Sequence, residues 1–158
     1  MTRRFRLPAG LAAAVFLVSG SCFLIPPDRP PFLVSGITVL NGAGGEQRIA
    51  SVEVEILNRG PAPLVRIRAE MDVYTLQGLP CPGTGTNHAE TGCDVDIPPG
   101  GEGRFRILLD PLFVYPPGEM VTVSRFCIFR AELADGTVWS DPGRFYQVLS
   151  DSVRVEEY

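Results

Sequence analysis

Within 64–74, nine residues alternate strictly between apolar and polar. Val65, Ile67, Ala69, Met71 and Val73 fall on one side, and Arg66, Arg68, Glu70, Asp72 and Tyr74 on the other. A period of two fits a strand with one buried and one wet face, and does not fit a helix. Upstream, Val52, Val54 and Ile56 alternate with Ser51, Glu53, Glu55 and Leu57, and the cluster Asn58-Arg59-Gly60-Pro61 supplies a turn between the two runs. Further strands are expected at 36–40, at 104–109 after the turn Pro98-Pro99-Gly100-Gly101, and along 119–133. Asp135-Gly136 then reads as a type I′ hairpin turn. Its returning arm passes through Val138 and Trp139 and breaks at Asp141-Pro142-Gly143, and a last strand covers 144–149.

About seven strands at this spacing predict an all-β domain over 32–150, an immunoglobulin-like antiparallel β-sandwich, with a barrel as the alternative. The 17 glycines and 15 prolines suit short strands joined by turns. No helical period of useful length follows the leader, and 151–158 reads as an acidic tail. The stretch from Ser51 to Leu109 resembles the FxLYD-type domains of bacterial lipoproteins. Asn58-Arg59-Gly60 matches their turn, Pro99-Gly100 and Phe105 match a later feature, and Met71 to Thr75 stands at the name-giving motif with Tyr74 identical. The resemblance implies a non-enzymatic envelope module and carries no functional residue over.

The chain opens with MTRRFRLPAGLAAAVFLVSGSC. Arg3, Arg4 and Arg6 form a positive start, Leu11 to Val18 an apolar centre, and Ser19-Gly20-Ser21 a small-residue cleavage site, so 1–21 reads as a signal peptide. The placement of Cys22 after Ser21 resembles the lipobox of bacterial lipoproteins, with Val18 one place ahead of the usual leucine. The resemblance implies cleavage before Cys22, a diacylglyceryl group on its thiol and palmitate on its new amine; several acyl chains anchor stably. Secretory cleavage without lipid, or an uncleaved N-terminal anchor, are the alternatives. Phe23 replaces the aspartate that retains some lipoproteins in the inner membrane, which points to the outer membrane, with the domain in the periplasm or at the cell surface. Residues 22–31 hold the lipidated cysteine and a proline-rich spacer.

All 14 basic residues are arginine. Behind the leader the acids outnumber them, and no basic stripe forms, so nucleic acid is not an expected partner. Cys81, Cys93 and Cys127 remain once Cys22 is assigned to lipid. Cys81 and Cys93 flank a glycine-rich loop, and a bridge closing it would add roughly 3 kcal/mol; Cys127, between Phe126 and Ile128, reads as a core thiol. Pairing through Cys127, or no bridge, are the alternatives.

The long loop 77–98 carries Asn87, His88, Glu90, Asp94 and Asp96, the components of a cation site but in no calcium-loop pattern. Its plainer reading is a solvated loop leading into a strand with Val95 and Ile97 facing in. No metal or other cofactor is expected. His88 is the only histidine, and no nucleophile motif or phosphate loop appears, so no catalytic residues are expected. Phe113, Val114 and Tyr115, between prolines, are the candidate partner-binding patch; the alternative is a loop folded over an open sandwich end. The expected function is a non-catalytic envelope lipoprotein whose domain binds an envelope protein or serves assembly. The alternatives are a structural accessory of a transport or secretion complex, and a metal- or small-ligand-binding module built on 77–98.

Overall fold

The structure, a computed structural model, describes residues 28–42, 50–81, 86–114 and 119–157. The leader, Cys22 and Tyr115 lie outside them. Nine strands are present among the described residues, in two sheets that share one hydrophobic core. The four-stranded sheet runs β5 (Glu102–Leu108), β2 (Ala50–Asn58), β1 (Phe32–Asn41), β9 (Val153–Glu157). The five-stranded sheet runs β4 (His88–Ile97), β3 (Leu64–Thr75), β6 (Val121–Leu133), β7 (Val138–Ser140), and β8 (Gln147–Leu149) also pairs with β6.

Alternation explains the core. From β2, Val52, Val54 and Ile56 point inward, each with no measurable exposure, and Ile67, Ala69, Met71 and Val73 do the same from β3. Phe105 and Ile107 of β5 and Phe126, Ile128 and Ala131 of β6 complete the contact between layers. The expected stripe on β3 fails at one place. A bulge between Leu64 and Arg66 leaves Val65 half-buried and gives its inward position to Leu64. Two more shifts leave Ser124 and Phe129 of β6 as extra residues, a bulge's way of bending a strand without losing the face it buries.

Two buried asparagines join parts of the chain that strand pairing does not. Asn41 donates through Nδ2 to the Val121 carbonyl at 3.1 Å and accepts from the Val121 N–H at 2.8 Å, linking one sheet to the other. Asn58 accepts from the Gly60 N–H at 2.8 Å and donates to the carbonyls of Ala62 and Ile97. Gly60 is closely packed, since a Cβ there would sit 2.7 Å from a Leu133 methyl and make that side chain shift. The hairpin after β6 differs from the expected type I′ form. Gly136 alone has positive φ, 86°, and its N–H bonds to the Leu133 carbonyl, the signature of a three-residue loop ending in a left-handed glycine.

Three further expectations change. The later part of the loop 77–98 is strand, because β4 begins at His88 and pairs with β3 along nearly its whole length. The acidic tail contains β9, parallel to β1 from Ile37 to Asn41, with Val153 and Val155 packed on the core. The strand expected at 144–149 shrinks to β8, because 141–146 leave the sheet and fold across it.

Candidate functional site

The densest chemistry lies on the outer face of the five-stranded sheet, where 141–146 cross it. β7 and β8 pair with the same edge of β6, so the chain between them must leave that edge and return. Asp141 fixes both ends of this strap: its N–H bonds to the Phe129 carbonyl at 2.8 Å, and its Oδ2 accepts from the Tyr146 N–H at 2.9 Å. Arg144 sits at the crossing with φ of 56°, in the left-handed region that few side chains adopt. Its guanidinium compensates. Nε donates to Glu70 at 2.6 Å, Nη1 donates to the carbonyls of Asp141 and Pro142, and the group stacks 4.2 Å from the Phe129 ring centre.

Glu70 belongs to the outward stripe of β3, yet is 4% exposed. Arg125 holds its other oxygen at 3.3 Å. Neighbouring Asp72 accepts from Arg125 Nε at 2.8 Å and lies 2.7 Å from His88 Nδ1. Partial burial works to raise the Asp72 pKa, but the hydrogen bonds from Arg125 and His88 outweigh it and hold the carboxyl below its usual value. Arg125 is raised in turn, chiefly by its hydrogen bond to Asp72. Cys127 also faces outward and is also covered. Its thiol donates to the Tyr146 carbonyl at 3.3 Å, and burial pushes its pKa up to about 11, so it stays protonated at neutral pH.

What this arrangement can do is set by its pairing. Glu70, His88 and Glu90 bring ligand atoms within 4.8 Å of one another. Both Glu70 oxygens are already held by guanidiniums, and Glu90 lies 3.7 Å from Arg144 and 3.5 Å from Arg68. A divalent cation would have to displace Arg144 and Arg125, whose charges oppose it. The geometry suits a locked ion network better than a metal centre.

The residues singled out from sequence scatter. His88 and Glu90 join this network, whereas Asp94 pairs with Arg66 at 2.7 Å near the other end of β4. Phe113 is 4% exposed and belongs to the core, so of the expected patch only Val114, 72% exposed, is shown facing solvent. The expected Cys81–Cys93 bridge is absent, and both are free thiols, as is Cys127. Cys81 bonds through its N–H to Val73, and Cys93 stands opposite Ile67. Six residue steps of β3 separate those partners, about 20 Å along a strand, whereas a bridge needs Cα atoms within about 7 Å. Burial raises the pKa of both thiols, assisted by Glu119 at Cys81 and by Asp94 at Cys93.

A second feature was not anticipated. An open cleft of about 260 Å³ lies between the first half of β1 and β8, lined by Phe32, Leu33, Val34, Phe126, Phe145 and Val148 among others, none of them charged. β9 pairs with β1 only from Ile37 onward, so among the described residues the earlier part of that edge has no strand beside it. The paired exposure of Leu33 and Phe145, 40% and 45%, had no local signal, since the two lie over a hundred positions apart.

Comparison with protein families finds none that matches the chain, and comparison with curated proteins finds none either. Among solved structures the chain is similar to the Pseudomonas fluorescens alkylpurine DNA glycosylase AlkC bound to DNA containing an abasic site analog. The likeness has 11% identity and a TM-score of 0.34, over 78% of this chain and 30% of that one. At that distance it carries no argument about fold or chemistry.

Proposed function

We propose that the chain is a bacterial envelope lipoprotein, anchored through Cys22, whose domain is a non-catalytic immunoglobulin-like module for binding or assembly. The observation that carries the anchor is the leader ending in Ser21-Cys22. The strand order supports the immunoglobulin-like reading. With β1, β2 and β3 as strands A, B and C, β4 as an added strand, and β5, β6 and β7 as E, F and G, the sheets run E-B-A and C-F-G. The pairing of both Glu70 oxygens and of Asp72 supports a binding role over one in which either carboxylate acts as general base, because a general base needs a free reacting atom. It also weighs against a ligand module on 77–98, whose residues 88–97 are taken up by β4 in its pairing with β3.

Cys22→Ser is expected to abolish palmitate labelling and move the protein from the membrane to the soluble fraction. An unlabelled wild-type protein whose mature N-terminus is unmodified Cys22 would overturn the lipoprotein reading.

A further inference from the structure

We infer that the uncharged cleft between β1 and β8 is the side on which the domain rests against the lipid bilayer holding Cys22. The inference rests on the lipoprotein reading and adds to it a contact surface and an orientation. It begins from reach. Six residue steps separate Cys22 from Asp28, a span of about 20 Å even when fully extended, whereas the twelve residues of β3 alone run about 40 Å. A lipidated Cys22 therefore keeps the end of the domain that holds Asp28 within reach of the bilayer.

The place where the tether leaves the domain is fixed. Trp139 Nε1 donates to the Asp28 carbonyl at 2.8 Å. The Trp139 ring meets Phe32 at 5.2 Å and Tyr146 at 6.0 Å, both edge to face, and Phe32, Tyr146 and Pro30 all line the cleft. The tether thus starts at the cleft's rim. The surface there suits lipid: it carries no charge among its lining residues, and Leu33 and Phe145 stand out from it. The exposed apolar residues Leu76 and Leu79 are at the opposite end with Thr75 and Val121, beyond the tether's reach. Acyl chains already supply the affinity, so what Leu33 and Phe145 add is direction: the far loops face away from the membrane.

Trp139 is the only tryptophan in the chain and reports on the contact directly. Lipidated protein is reconstituted into phosphatidylethanolamine–phosphatidylglycerol vesicles whose acyl chains carry bromine, a short-range quencher. The wild type is expected to lose at least half of its Trp139 emission. The Leu33→Ser/Phe145→Ser double variant, altered only at exposed positions and checked by thermal melting, is expected to lose several-fold less. Unquenched wild-type Trp139 overturns the inference, as does equal quenching in the variant. Protection of the cleft by a protein partner or by residues 23–27, seen as crosslinks from a photoreactive group at position 145 to protein rather than lipid, overturns it too. The acyl mass on the N-terminal peptide is read in the same samples. Its absence defeats the lipoprotein reading itself, whereas acylation without quenching defeats the contact alone.

Discussion

The two outer faces of the domain are built from the same materials and hold them differently. On the four-stranded sheet, Arg104 and Arg106 reach across to Glu53 and Glu55 in pairs of 2.8–3.6 Å, with both arginine side chains at least half exposed. On the five-stranded sheet, Glu70 is held between Arg125 and Arg144 under a strap, and its side chain is 5% exposed. Exposed pairs trade hydration for attraction almost evenly and contribute about 0–1 kcal/mol. A buried carboxylate has lost its water, so its partners become obligatory. Geometry on paper is similar; what separates the faces is the covering segment. The strap converts one ordinary outward position of β3 into a structural node.

The shared core sets the scale for both faces. Ile67→Ala, at an inward position with 1% exposure, is expected to cost about 2–5 kcal/mol through lost burial and a cavity. Denaturant melts measure it, and a loss below that range would mean that the layer between the two faces is not closely filled.

Glu70→Gln comes next, at about 1–3 kcal/mol, because two guanidiniums lose their partner while retaining some access to water. The same change should loosen the strap and expose Cys127. In the wild type, half-exposed Cys93 should alkylate first and Cys127 last; in the variant the Cys127 rate should rise several-fold. A Cys127 rate unchanged in a destabilised variant would show that Glu70 does not hold the strap.

A smaller effect appears on the acid side. The folded-state pKa of Asp72 lies below its unfolded value of about 4. Its stabilisation is therefore full above the unfolded pKa and is lost as pH falls through the lower, folded one. Asp72→Asn should flatten the part of the stability profile that declines between about pH 5 and the folded pKa. An unchanged slope would place the acid sensitivity elsewhere.

The smallest is Arg104→Ser on the four-stranded sheet, expected within about 0.5 kcal/mol of wild type. A loss as large as that of Glu70→Gln would erase the contrast between the faces.

Much of the all-β fold is legible because burial on one face writes itself as alternation. β2, β3 and β5 follow it closely, and Val52, Ile67 and Phe105 were placed inward correctly. What escaped was whatever alternation does not encode. Bulges at Val65, Ser124 and Phe129 add a residue without a compositional mark. The start of β4 is an edge strand of His, Ala, Glu, Thr and Gly with little apolar contrast, so it read as loop. Alternation puts Glu70 outward but gives no sign of its cover, because the arginine that covers it comes from 74 positions later. Cys81 and Cys93 were joined by proximity in sequence, which β3 turns into distance.

β9 has a consequence for the order in which the domain can be finished. The first strand receives one of its two neighbours from the last residues described, Val153 to Glu157. Until those residues arrive, Ile37 to Asn41 offer a row of unpaired backbone groups beside the core positions Ile37 and Val39. Such an edge is a template for a foreign strand, and closing it through a distant pairing is slow. A chain cut after Leu149 should therefore show its defect less as lost stability than as self-association, with β1 recruiting from a second molecule the strand its own chain no longer provides.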